Sequence, residues 1–508
     1  MAVLAAPDEA RNGTAASGAD VVPMPPPRVS MWATLLLSGG GHPRTNAVAH
    51  ERNVVFAQRA LLSLGLPLGR RSVLFADGDS DALDLQLEEP DPARHRRLYA
   101  LGLYRGVENA RDAVLRYRNH DVGPSQHADL DGVKRALRKD AEAATSTAEA
   151  PPLLMYVTDH GLEAKDRSNN TILLWDDEKL SVRELGVALD RQPPGRRVVT
   201  VMAQCFSGSF ASLVHQGGHP DRPLAPHDRC GFFAAPRDRP AAGCSPRSDE
   251  GLYDDYTTRF FAALSGTTRT GTAAAAADLD GDGAVSLEEA HFAAVLLEDT
   301  MDVPVTTSEE LLRRERGRWL SALDRRGTRI TSLLAAGRPM LQRVGNALHH
   351  RLALSPDTTL GDLDDALDEG ESGCFPGFCE AVARAGELRR QVHEGLRRGA
   401  TFPPPEARPN LTLGTLGSAA VDAWIARAAP DFEELLRVEA SVDRLRAQSE
   451  SLEGRRLRLV RLVELVWLER ALRGERDPLV HDYDRIRACE GARLDQPRAA
   501  SGQELDPR

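Results

Sequence analysis

A chain of 508 residues with a formal net charge of −11 has room for roughly two to four domains of ordinary size. Its hydrophobic share of 41% is enough for packed cores, which excludes a wholly disordered chain. Basic residues are interleaved with acidic ones rather than gathered on one face, which argues against nucleic acid as a partner.

No apolar run reaches the ~18 residues that would make a membrane span. The first residues lack a charged start followed by an apolar stretch, so no signal peptide is visible and the cytoplasm is favoured over export. Six cysteines are too few for a disulfide scaffold, and the absence of a CxxC pair argues against a structural zinc site. Cys230 with Cys244, and Cys374 with Cys379, are spaced for disulfides in an exported protein; reduced thiols fit a cytoplasmic one equally well.

Residues 1–29 are rich in Ala, Pro, Gly and Ser and are expected to be disordered. Trp32 to Ser38 is a short apolar run ending at Gly39-Gly-Gly41, the pattern of a buried strand. A helix is expected over 47–64, stopped by Gly65 and Pro67. Ser72 to Ala76 is a second buried strand, followed by the acidic loop Asp77 to Asp81. Helical periodicity then covers 107–145. Further strands follow at Leu153–Thr158, Val198–Ala203 and Gly231–Ala235, with a shorter apolar segment at Thr171–Trp175 and a helix over 181–189 between the first two. Short buried strands alternating with helices predict an α/β fold with a mostly parallel sheet flanked by helices, over 30–300.

Beyond residue 300 strand-like runs disappear, and 301–495 is expected to be all-helical. Thr307 to Glu310 has the spacing of a capping box. Over 431–473, Leu435, Val438, Val442, Leu445, Leu452, Leu459, Val463 and Val466 recur at three- and four-residue steps, a heptad seam. It predicts either an intramolecular helical bundle or self-association through 435–466. Pro403 to Pro405 marks a break, and 496–508 is expected to be a disordered tail.

Two positions carry chemistry because of where they fall. His160 and Gly161 follow directly on one predicted strand, and Cys205 follows directly on another. In an open parallel sheet both would emerge at the carboxyl edge, where ligands bind. A thiol nucleophile needs an imidazole to move its proton and backbone donors to hold an oxyanion. Gly161 and the Cys205 N–H are the natural donors. A helix opening at Ser207 to Ser209 would lower the thiol pKa.

The words around these positions sharpen the reading. Tyr156-Val-Thr-Asp-His-Gly161 resembles the strand and His-Gly signature of the legumains, the asparaginyl endopeptidases. Ala203-Gln-Cys-Phe-Ser-Gly-Ser-Phe210 resembles their cysteine segment, with Gln204 and Phe206 departing from it. The runs 231–245 and 253–260 resemble the family's next two blocks, whereas the caspase cysteine signature is not met. The resemblance implies a caspase-like fold and a cysteine endopeptidase that cleaves a peptide or protein substrate. His160 and Cys205 would be its dyad, the intermediate a thioester, and Gly161 an oxyanion donor. It also implies cleavage after Asn or Asp. His42-Pro-Arg-Thr-Asn46 only loosely resembles the family's specificity segment, so Arg44 and His42 either bind substrate or belong to a solvated loop. In relatives, C-terminal helices cover the active site. The alternative is a catalytically silent caspase-like scaffold, or a calcium-binding interaction protein, acting through its C-terminal helices. A serine hydrolase is disfavoured, because no GxSxG elbow surrounds Ser207 or Ser209.

Residues 278–289 read as an EF-hand calcium loop. Asp278, Asp280 and Asp282 stand where such a loop places its first three carboxylates, and Gly283 at its sharp turn. The Ala284 carbonyl, Ser286 and Glu289 complete the expected set. The alanine-rich run before the loop and 290–297 after it are the expected flanking helices. With no second loop to pair with, a structural calcium is expected more than a regulatory one.

Overall fold

The structure is a computed structural model and describes residues 32–106, 110–147, 150–243, 245–247, 254–317, 319, 326–372, 377–399, 418–474 and 477–494. The expected disordered ends, the Pro403–Pro405 break and Cys244 lie outside these residues.

Six strands form one sheet in the spatial order Val305–Thr306, Asp228–Phe233, Arg197–Met202, Leu153–Thr158, Ala33–Ser38, Arg71–Phe75. All neighbours are parallel except the first pair. Every residue of Ala33–Ser38 and of Leu153–Thr158 is buried. A strand covered on both faces is mostly apolar rather than alternating, and the sequence carries that pattern. Parallel strands need crossovers, and the helices Val48–Ser63, Leu130–Thr145 and Val182–Leu189 lie in those connections. Ser181 starts the last of these with a capping box to Glu184.

Several expectations are corrected. The periodic stretch before residue 145 is a short strand, Leu115–Arg118, and then the helix Leu130–Thr145; a further helix, Pro92–Arg105, precedes it. Strand structure does not end at 300, because Val305–Thr306 joins the sheet edge. The helix that follows is capped by Thr306 rather than Thr307, the Thr306 hydroxyl accepting the Glu309 N–H at 3.2 Å. Extended pairing up to Thr306 leaves that residue as the first whose side chain can turn back onto the helix.

The C-terminal region is helical, and its long helix Phe432–Gly474 joins two cores. Leu435 packs with Leu388, Val392 and Trp424. Leu459, Val463 and Val466 pack with Leu341, Val344 and Leu348. The heptad seam is therefore largely occupied by the chain's own helices, although Leu452 remains 40% exposed.

The final helix, Leu479–Glu490, returns to the sheet, where Ile486 and Cys489 enter the first core. Cys489 forms a disulfide with Cys230, with Cα atoms 5.9 Å apart. The spacing-based pairing of Cys230 with Cys244 is thereby corrected, because helix packing brings a cysteine 259 positions away into bonding range. Cys379 is also disulfide-bonded, whereas Cys374 lies outside the described residues. Among the described residues no helix is long and apolar enough to cross a membrane.

Candidate functional site

The strands Leu153–Thr158 and Arg197–Met202 are adjacent and in parallel register, with Val157 opposite Met202. His160 and Cys205 therefore leave the same sheet edge side by side. Gly161 lies so close to Cys205 that an added Cβ would stand 1.8 Å from the Cys205 carbonyl oxygen. Only glycine fits there, and the close approach locks the two strand ends together.

The His160 ring is held from two sides. Its Nε2 lies 2.8 Å from the Thr45 carbonyl oxygen, which can only accept, so Nε2 carries a proton. The buried His50 ring meets it edge-on at a centroid distance of 5.1 Å. Burial, and then His160, hold the His50 pKa well below its ordinary value. The preceding residue, Asp159, accepts the His160 N–H at 2.7 Å and the Gly40 N–H at 3.1 Å. Burial pushes the Asp159 carboxyl up to about 8 against these two hydrogen bonds. Beneath them, Asn53 donates to Thr158 Oγ1 and to Asp255, both at 2.8 Å, tying the strand end to the helix Tyr256–Ser265 that Asp255 caps.

Cys205 is a free, partly buried thiol. Its Sγ accepts the Ala241 N–H at 3.3 Å. The next residue, Phe206, has φ 58°, a left-handed conformation unusual for a bulky side chain. It is held by its N–H donating to the Arg239 carbonyl at 2.9 Å and by the buried Asn170 amide, which donates to the Phe206 and Arg237 carbonyls. The expectation of an acidified thiol is corrected: burial raises the Cys205 pKa, against the Ala241 N–H hydrogen bond and with a smaller push from the Asp302 carboxylate. The segment after it is a 3-10 helix, Ser207–Val214.

Asp302 links this loop to the C-terminal region. Its carboxylate accepts the Ala242 N–H at 2.5 Å and the Tyr256 N–H at 3.0 Å. The buried Arg458 guanidinium donates to the carbonyls of Asp302 and Glu298, at 2.6 and 2.7 Å. One turn earlier on the same helix, Glu453 accepts from Arg239 at 2.6 Å, and Gly454 lies against the Thr300 carbonyl. The long helix thus sits behind the 239–242 loop that touches the thiol.

His42 and Arg44 occupy a turn closed by hydrogen bonds from the Thr45 and Asn46 N–H groups to the His42 carbonyl. The Arg44 side chain is exposed, and the His42 imidazole lies 3.8 Å from the Asp177 carboxylate. Asp176 and Asp177 both have positive φ, 64° and 59°.

In the 278–289 loop one oxygen from each of Asp278, Asp280 and Asp282 lies within 4.8 Å of the others. Asp278 accepts the N–H groups of Gly281 and Gly283 at 2.7 and 2.9 Å. Glu289, almost wholly buried, reaches back to the Leu279 N–H at 2.8 Å and also boxes the Ser286 cap. Gly281 and Gly283 take positive φ. The three aspartates therefore form a group that could hold a metal ion, whereas both Glu289 carboxylate oxygens are engaged by the Leu279, Asp280 and Ser286 donors. The expected helix before the loop does not form: Ala273 pairs with Thr267 in an isolated bridge instead. After the loop the helix Leu287–Leu297 forms as expected.

The residues missed in sequence are Thr45, Asp159, Ala241 and Asp302. Asp159 is flagged only by its place beside His160, and the other three act through main-chain atoms or across long separations that leave no pattern.

No protein-family model matches the sequence, and no curated protein does. Among solved structures, a protein of Geobacter sulfurreducens, GSU0716, is similar at 12% identity over 54% of this chain and 92% of its own, with a TM-score of 0.31. A likeness of that degree supports no conclusion about fold or function.

Proposed function

We propose that the chain is a cysteine endopeptidase of the legumain and caspase type. The observation that carries this reading is the pairing of adjacent parallel strands, which delivers His160 and Cys205 to one edge with Gly161 wedged against the Cys205 carbonyl. In the proposed reaction the Cys205 sulfur bonds to the scissile carbonyl carbon and its proton passes to His160. The backbone N–H groups of Gly161 and Cys205 stabilise the oxyanion. His160, oriented by the Thr45 carbonyl, gives the proton to the leaving amine as the C–N bond breaks, and water then hydrolyses the thioester. The proposed cleavage is after Asn or Asp, with Arg44 and His42 of the first turn as the proposed substrate contacts.

Asp278, Asp280, Asp282, Ala284, Ser286 and Glu289 would hold a structural calcium, all hard oxygen donors suited to that ion. The raised thiol and the helix behind the 239–242 loop support a latent enzyme whose C-terminal region restrains the site. They equally favour a second reading, a catalytically silent scaffold. The Cys230–Cys489 disulfide supports an oxidising compartment over the cytoplasm.

The test is cleavage of a fluorogenic peptide library by wild type and Cys205→Ala, with and without calcium, for the full chain and for a chain proteolytically nicked after residue 317. Cleavage by wild type alone supports the peptidase. Silence of every wild-type form, nicked included, with folding intact, moves the scaffold ahead.

A further inference from the structure

A second cluster of ligating side chains lies at the same carboxyl edge, two strands away from the His160 strand. Asp77 follows the strand Arg71–Phe75, Asp84 precedes the strand Leu85–Glu88, and His120 follows the strand Leu115–Arg118. One ligand atom from each lies within 4.8 Å of the others. The Asp84 and His120 side chains are only 1% and 5% exposed, so water solvates neither.

The internal hydrogen bonds leave this group incomplete. His120 Nδ1 is 2.6 Å from Asp84 Oδ2, and the His120 N–H donates to Asp84 Oδ1 at 3.0 Å. His120 Nε2 is 3.2 Å from Ser125 Oγ, and the Ser125 backbone N–H donates to Asp79 Oδ1 at 2.8 Å. Asp77 is partly buried and its carboxylate is hydrogen-bonded by Ser80, but its Oδ1 is shut off from solvent and has no hydrogen-bond partner. A buried carboxylate oxygen without a donor is costly. Arg118, which feels the Asp84 charge, is engaged by Glu51 in a two-point ion pair. Two carboxylates thus face each other with one imidazole between them and an acceptor to spare, a set that a dication completes.

We propose that Asp77, Asp84 and His120 bind a zinc-type transition-metal dication, independently of the His160–Cys205 pair and of the 278–289 loop. One imidazole with two carboxylates is a borderline donor set, which suits zinc. Calcium wants six to eight oxygens and magnesium a largely hydrated octahedron, and neither is served by a buried imidazole. Ligand atoms around tetrahedral zinc stand about 3.3 Å apart. Metal binding would bring the three ligand atoms to that spacing by side-chain rotation, the metal displacing the proton that lies between His120 and Asp84. The Phe75 ring, 4.8 Å from the His120 ring centroid, walls one side.

The experiment is zinc titration by calorimetry of the full chain carrying Cys205→Ala, in excess calcium so that the acidic loop and the thiol do not compete. The same chain is then titrated with Asp77→Asn and, separately, with His120→Gln, both near-isosteric, with circular dichroism to check folding. Cobalt is used as a spectroscopic probe. The expected result is one zinc equivalent, weakened at least tenfold by either substitution. Visible cobalt bands without a thiolate charge-transfer band are expected alongside it. Unchanged affinity in folded Asp77→Asn and His120→Gln chains, or no saturable equivalent in the parent, overturns the site.

Discussion

Gly161 is the residue on which the candidate site turns. Any side chain there meets the Cys205 carbonyl, so the strand ends would have to part. Gly161→Ala is expected to cost about 1–3 kcal/mol of stability. Any cleavage activity should fall by at least a hundredfold, as read from thermal midpoints and peptide turnover. Other single residues set the pH response. Burial pushes Asp159 and Glu490 each up to about 8, and Asp302 and Glu298 also upward. In the unfolded chain these groups titrate near the ordinary carboxylate value of about 4. Between roughly pH 4 and pH 8 the native state therefore holds protons that the unfolded state has lost, and stability falls as pH rises through that window. Glu288 runs the other way: despite burial, Arg338 and Arg487 hold it down, so its contribution is lost on acidification. The urea midpoint is expected to be higher at pH 5.5 than at pH 8.5, with the difference reduced in Asp159→Asn. Equal midpoints would contradict the assignment.

Elements act here mainly through their ends. The helix that begins at Thr307 depends on the Thr306 hydroxyl, and Thr306→Ala is expected to lose about 1 kcal/mol, measured by chemical denaturation. The long helix acts through its middle, where Gly454 permits close contact with the 300–302 backbone and Arg458 binds the carbonyls there. A Gly454→Val chain should keep its helix but lose that seat. Because the same segment supplies Asp302 to the 239–242 loop, alkylation of Cys205 by iodoacetamide is expected to speed up severalfold. An unchanged rate would show that the helix does not restrain the thiol.

At the scale of the molecule, the chain closes on itself. The sheet begins at Ala33, takes its edge strand from Val305–Thr306, and is finally covered by the helix that ends at Glu490. The Cys230–Cys489 bond seals a loop of 259 positions, so by chain entropy it contributes about 5 kcal/mol. Cys489→Ser is expected to lower the free energy of unfolding by a comparable amount, and reduction of wild type, which also opens the Cys379 disulfide, to lower its denaturation midpoint at least as far as that substitution does. If reduction leaves the midpoint in place, the bond does not fasten the last helix.

By itself the sequence determined the buried strands, because a strand covered on both faces is mostly apolar rather than alternating. The His160 and Cys205 positions were legible for a related reason, since residues directly after parallel strands must emerge at one edge. The acidic loop was equally legible, its donors being set by spacing within a dozen residues. Tertiary structure alone decided the Thr45 carbonyl on His160, the Asp302 carboxylate near Cys205, and the pairing of Cys230 with Cys489. It also decided that the heptad seam faces the chain's own helices. These depend on groups brought together across tens to hundreds of positions, and often on main-chain atoms that every residue shares. Local pattern can encode an element and its ends, but packing chooses the partners.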